Sequence, residues 1–519
     1  MQPTKITEPQ SGNPPVPSQD KSTSWLASKW LWIGIVVLIL CMWGGIVATI
    51  HTNKPLPPGL SFEGEAYQAD NVDFLYDLSF QKEGGYQQEQ MIFDRVGRAI
   101  AEAKKFVVID MFLFNGYYHE DQSFPPLSDK MTDQLLEAKQ KNPDLQIAVV
   151  TDEVNTTYGS HPAPEIDRLK KAGISVVYTD TVPLRDSVPL YSAFWRIGLQ
   201  WFGQSGEGWL PNPMADNAPK VTLRSYLKLF NVKANHRKVV ATDQTVLLLS
   251  ANPHDASFNN SNIGFEIKGS SGFIAEVLAT EQAASDMSGG PKLPVLDKVS
   301  GGGNKSGSGA SSSRAEAESG NPVTARLLTE GKIYSRLLKA IEEAQPGDEI
   351  RMGMFYLADR QVMDRLLRAS ERGAHVQLLL DPNENAFGRS KIGIPNRPVA
   401  AELLRKSKGK IEVRWYNTKE EQYHTKMMYI RSQTGSAVIN GGSANFTPRN
   451  LDDLNLETNV EITAPAGSKI VQDLDQYWDR IWNNRDAEYS LEYEAYEDKT
   501  VWIKRGLYRL QDMFGFTTY

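Results

Sequence analysis

What most constrains this chain is duplication: a pattern of strand-like and helical runs in its first half returns in its second. Residues 99–103 (AIAEA) lead to the apolar run 106–112 (FVVIDMF), a helical stretch near Leu135 and Leu136, and then 146–150 (QIAVV) with Asp152 just beyond. Residues 340–344 (AIEEA) lead likewise to 349–355 (EIRMGMF), a helical stretch at Leu366 and Leu367, and then 376–380 (VQLLL) with Asp381. Short β-branched runs alternating with helices specify sheets covered by helices, and a repeat of this length specifies two such units. The predicted fold class is therefore α/β, with two similar half-domains, each a mixed β-sheet flanked by helices, related by a pseudo-twofold. The first copy carries an insertion at 181–231, whose aromatic run 191–202 (YSAFWRIGLQWF) is expected to pack as a helix rather than touch lipid.

The repeat also carries chemistry. His236-Arg237-Lys238 is followed by Ser250-Ala251-Asn252 and Glu266; His424-Thr425-Lys426 is followed by Gly442-Ser443-Ala444-Asn445 and Glu457. Residues i and i+2 of a strand share a face, so each histidine projects with its lysine if these runs are strands. The chain has only 7 histidines, and two of them fall at equivalent points of the repeat. One active site built from two copies is the reading this supports. Two lysines and two asparagine amides would accept the charge of a phosphodiester without a divalent cation. No carboxylate cluster or His/Cys spacing suggests a metal, so neither metal nor cofactor is expected. Two imidazoles permit a two-step reaction, one attacking phosphorus as the neutral ring, the other donating a proton to the leaving alcohol and later activating the acceptor.

These residues resemble the phospholipase D superfamily, whose pattern is H-x-K-x4-D, then G-S-x-N, then a later Glu. The resemblance spans nearly all of 67–490. It implies that Glu266 and Glu457 orient the histidines, that Ser250 and Ser443 lie at the substrate with Lys238, Lys426, Asn252 and Asn445, and that His236 is the nucleophile and His424 the acid. It also implies a structural role for Asp243. Two positions depart from the pattern: Leu249 stands where the family usually has Gly, and Arg431 where it has Asp. The implied activity is phosphodiester hydrolysis or phosphatidyl transfer on phospholipids, as in phospholipase D and cardiolipin synthases. The alternatives are a nuclease of the same fold, or an inactive scaffold. His254 is expected to be a loop residue.

Composition bounds the rest. A net charge of −7 provides no global positive field for nucleic acid, so none is expected as a partner. Residues 31–50 (LWIGIVVLILCMWGGIVATI) are uncharged and, at 1.5 Å per residue, can cross roughly 30 Å of hydrocarbon. A single transmembrane helix over 25–52 is predicted, and Lys5, Lys21 and Lys29 before it place the N-terminus inside and the catalytic region outside the cell membrane. The only cysteine, Cys41, is in that run, which leaves the remainder without disulfides. The expected organisation is a disordered tail at 1–24, the anchor, a spacer at 53–66, half-domains at 67–287 and 323–490 joined by a Gly/Ser linker at 288–322, and an amphipathic C-terminal tail at 491–519.

Overall fold

The computed structural model describes residues 21–119, 121–203, 207–296, 322–386, 389–497 and 500–515, with residues 12 and 517. The expected tail 1–24 therefore falls mostly outside the described residues, as does the expected linker beyond residue 296.

The first sheet runs, edge to edge, Gly85–Glu89, Asn71–Lys82, Asn262–Lys268, Thr245–Leu249, Lys238–Thr242, Phe106–Met111, Gln146–Asp152, Ser175–Thr179. The second runs Tyr67–Gln68, Thr324–Thr329, Thr458–Pro465, Ser436–Gly442, Lys426–Arg431, Glu349–Met354, His375–Leu380, Ile411–Tyr416, Ser490–Glu492. From Asn71–Lys82 and from Thr324–Thr329 onward the orders match over seven strands, the second sheet adding Ser490–Glu492 at its far edge, with parallel pairing confined to the same two junctions in each. The duplication read in the sequence is thus a duplication of topology.

Strand periodicity explains how the halves join. Val239, Ala241, Ile263 and Phe265 of the first sheet share one buried core with Met427, Tyr429, Ile439 and Val460 of the second. The alternate residues Val240 and Leu247, and Met428 and Ile430, face the helices on the outer sides. Both faces of each sheet are therefore buried, which is why these strands read as continuous apolar runs and not as alternating ones. The approach is close: a Cβ on Gly441 would lie 2.6 Å from the Phe265 ring of the other half. Arg237, fully buried between the halves, donates to Glu330 at 2.8 Å and Glu281 at 3.3 Å.

Both departures from the repeat pattern have compensations. Leu249 pairs across the ladder with Gly264, whereas Gly442 pairs with Asn459. A Cβ on Gly264 would lie 2.5 Å from the Leu249 side chain, so the glycine that relieves crowding has moved to the neighbouring strand. Asp243 accepts from the amides of Lys104 and Lys105 at 2.9 and 3.0 Å, tying its hairpin to the start of Phe106–Met111. In the second half Asp348 does this from the opposite side, accepting from the Gln433 amide at 3.0 Å. That frees Arg431 to pair with Asp475 at 3.1 Å.

The N-terminal helix spans Lys21–Asn53 and is long and apolar enough from Lys29 to Asn53 to cross a membrane. The segment after it is more than a spacer. Leu60 is buried, the Gly64 amide donates to Leu327 O at 2.9 Å, and Tyr67–Gln68 adds a strand to the second sheet. The insertion forms helices at Pro189–Ile197 and Leu223–Leu229. Ser192, Ala193 and Trp195 pack inward as expected, but Leu190, Phe194, Trp201 and Phe202 point outward.

Candidate active site

The two histidines sit just ahead of their strands, in backbone that has crossed to the other half. The His236 amide donates to Leu456 O at 2.9 Å, and the His424 amide to Ser261 O at 2.8 Å. The strands proper begin at Lys238 and Lys426. Each ammonium folds back to donate to its own histidine's carbonyl at 2.7 Å. Each histidine ring lies 5.0 Å from a phenylalanine ring, Phe112 or Phe355. The lysine nitrogens lie 5.3 and 5.2 Å over the same two rings. Asn155 and Asn383 brace these aromatic floors by donating to the Phe112 and Phe355 carbonyls, each at 2.9 Å.

The symmetry ends at the histidines' other partners. His236 Nδ1 lies 2.9 and 3.0 Å from the two oxygens of Glu457, contributed by the second half. His424 Nδ1 lies 3.1 Å from Oδ1 of Asn262, contributed by the first. Asn262 is the positional equivalent of Glu457. Ser443 donates to Glu457 and accepts from the Thr458 amide; Ser250 donates to Asn262 at 3.0 Å and accepts from the Ile263 amide at 2.9 Å. Because Asn262 Nδ2 donates to Asn260 O at 3.1 Å, its oxygen faces the imidazole, and His424 Nδ1 is the protonated nitrogen.

Two expectations are corrected here. Glu266 orients no histidine: it lies four residues beyond Asn262, roughly 13 Å along the strand. There it accepts from Arg95 Nε at 2.7 Å and Thr245 Oγ1 at 3.0 Å. Ser250 and Ser443, expected at the substrate, are fully buried and hold the orienting groups instead. Asn252 Oδ1 accepts from the Leu113 amide at 3.3 Å, while the buried Oδ1 of Asn445 has no partner among the described residues. His254 is a half-buried structural residue, bonded to Tyr117 O at 2.9 Å and Ser257 at 3.0 Å, with desolvation of its ring holding its pKa down at about 4.

Asn262, Asn450, Glu330 and the two phenylalanines were missed in the sequence. Asn450 donates to Glu457, and Glu330 accepts from the Glu457 amide at 3.1 Å. Aligning the strands by phase, Glu457-Thr458-Asn459-Val460 against Asn262-Ile263-Gly264-Phe265, would have exposed Asn262 as the counterpart.

The electrostatics follow from bringing two buried lysines beside two imidazoles. Burial pushes Lys238 down to about 7. Lys426 is held well below the usual lysine range by burial and then by Lys238. Burial, followed by the two lysines, holds both rings toward the neutral form, and His424 is additionally lowered by His236. Burial pushes Glu457 up to about 7, against the pull of Lys238. Among the described residues no group of His, Cys, Asp or Glu could hold a metal ion. An anion entering between the lysines would restore their protons and be held by them.

Residues 337–482 match the family described as cardiolipin synthase, PLD-like domain. No curated protein sequence matches the chain. Among solved structures, phosphatidylserine synthase of Haemophilus influenzae Rd KW20 superposes with a TM-score of 0.53 at 12% identity, covering 91% of this chain and 98% of that one. Polyphosphate kinase of Porphyromonas gingivalis gives a TM-score of 0.41 at 12% identity over 85% of this chain and 56% of its own. Nuc, a phospholipase D family member of Salmonella typhimurium, gives 0.24 at 19% identity over 32% and 97%. Residues 337–482 are thus a phospholipase D-like domain by family match, and the first half repeats the strand order of that domain.

Proposed function

We propose that the protein is a membrane-anchored phosphodiesterase or phosphatidyltransferase that acts on phospholipids through a phosphohistidine. One observation carries this reading. Two imidazoles, each gripped by the opposite half, lie close enough to two buried lysines that each ring is pushed toward its neutral form by both ammonium groups.

In the first step Nε2 of neutral His236 attacks phosphorus. The P–O bond to the leaving alcohol breaks, and His424, which takes up a second proton at Nε2 once the bound phosphodiester's negative charge offsets the two lysines, gives that Nε2 proton to the departing oxygen. Glu457 stabilises the positive charge that forms on the phosphorylated ring. In the second step water or an alcohol gives its proton to His424 Nε2 while its oxygen attacks phosphorus, the P–N bond breaks, and His236 returns to its neutral form. Lys238, Lys426, Asn252 and Asn445 take the charge on the equatorial oxygens. Lys29–Asn53 holds the protein at the bilayer that contains its substrate.

The test is product analysis on phosphatidylglycerol vesicles under chelator, with and without a primary alcohol, beside labelled DNA. Lipid turnover lost in both His236→Ala and His424→Ala, and a phosphate trapped on His236, is the expected result. Turnover of DNA alone, or full lipid turnover in both variants, refutes the proposal.

A further inference from the structure

The insertion carries an apolar face for which the active site has no use. Leu190 and Phe194 on Pro189–Ile197 are each 61% exposed, and Trp201 and Phe202 just after it 73% and 72%. Trp209 is also exposed. Exposed aromatic side chains clustered this densely mark an interaction surface.

The location of this face identifies its occupant. The apolar N-terminal helix packs against Pro189–Ile197. Its exit is bonded to the same insertion: the Asp186 amide donates to His51 O at 3.1 Å, Lys54 Nζ to Val182 O at 3.1 Å, and Arg185 Nε to Lys54 O at 2.9 Å. The C-terminal helix Val501–Phe514 converges on it as well. That helix docks by buried Tyr508 and leaves Trp502, Ile503 and Leu510 outward, and Gly515 behind it abuts Ser187 O. Outward Trp and Phe beside the end of a spanning helix lie at headgroup depth. A small cleft lined by Val182, Trp195, Arg196, Lys228 and Lys233 lies beside them, with its cations held by Asp186 and Glu153. The chain then returns directly to the chemistry. Lys233, paired with Asp186 at 2.6 Å, precedes His236 by three residues.

We infer that residues 181–203 and 207–231, with the C-terminal helix, form a lipid-contacting face that seats the half-domain carrying His236 on the bilayer the N-terminal helix crosses. The inference rests on the membrane-anchored reading. The same face gives the chain access to lipid of that bilayer without extracting it into water, as a wedge that enters the headgroup layer.

The test uses the full chain in phosphatidylglycerol/phosphatidylcholine vesicles. A fluorophore is placed on native Cys41, or, in a Cys41→Ser background, on Phe202→Cys or on Lys141→Cys as an exposed control. Quenching of Cys41 by mid-chain nitroxide lipids and of position 202 by headgroup-depth nitroxides, with position 141 unquenched, is the expected result. Cys41 quenched and position 202 no more quenched than 141 overturns the inference and leaves the anchor standing. If neither is quenched, the anchored reading falls and the inference with it. In parallel, Phe194→Ser/Trp201→Ser/Phe202→Ser should lose ~tenfold or more of turnover on vesicles, as expected for lost interfacial area. Turnover of a water-soluble short-chain phosphodiester should be unchanged. Equal losses on both substrates would overturn the inference.

Discussion

Glu457→Gln isolates the charge at the centre of the proposed mechanism. The exchange is nearly isosteric, and the protein already carries an amide at the equivalent position, Asn262, so the strand accepts it. An imidazolium 2.9 Å from a carboxylate is worth about 6 kcal/mol at an effective dielectric constant of about 20. Only the part that grows as His236 takes up phosphorus counts toward rate. Roughly half of it, about 3 kcal/mol, is ~10²-fold in kcat; a carboxylate-to-amide change behind a catalytic histidine can reach ~10⁴-fold when the tautomer is also lost. Single-turnover release of headgroup from vesicles measures it, with thermal unfolding as the check on structure. A loss between those limits with little change in Tm is expected. Activity within about threefold of the parent would refute the claim that Glu457 supports the cationic ring.

Glu266→Gln should behave in the opposite way: it leaves buried Arg95 short of its partner, costing about 3 kcal/mol of stability, while kcat of the folded protein stays at the parent value by the same assay. Asn262→Asp places a second carboxylate at 3.1 Å from His424; its proton is then held to higher pH, and the limb of the kcat profile that reports this group should move up by at least ~1 unit. No movement would mean that His424 does not transfer a proton. For the parent, kcat/KM should follow a narrow bell centred near pH 7. Glu457, raised to about 7, is protonated and useless below that pH, and Lys238, lowered to about 7, loses its charge above it. The profile of kcat should be broader on the alkaline side, because bound phosphodiester holds the lysines protonated; identical profiles would contradict a phosphate seated between them.

The sequence was most legible where local chemistry repeats. Duplicated strand runs and doubled His-x-Lys pairs show in the chain because strand period and motif spacing are properties of neighbours in sequence. The same information led to Glu266, a carboxylate at a plausible spacing that in fact closes a buried ion pair with Arg95. It also placed Ser250 and Ser443 at the substrate, since spacing reports nothing of where a hydroxyl points.

By itself, then, the sequence determined that there would be two α/β halves, an apolar N-terminal helix and two histidine–lysine pairs, because those follow from period, composition and short-range order. Only the tertiary structure decided that each histidine is held by the other half, one by Glu457 and one by Asn262, and that the Gly and Asp missing from the motifs reappear as Gly264 on the neighbouring strand and Asp348 just ahead of another. The physical reason is that hydrogen bonds and steric relief depend on which strands lie side by side, and that is settled by burying the two sheets against one another.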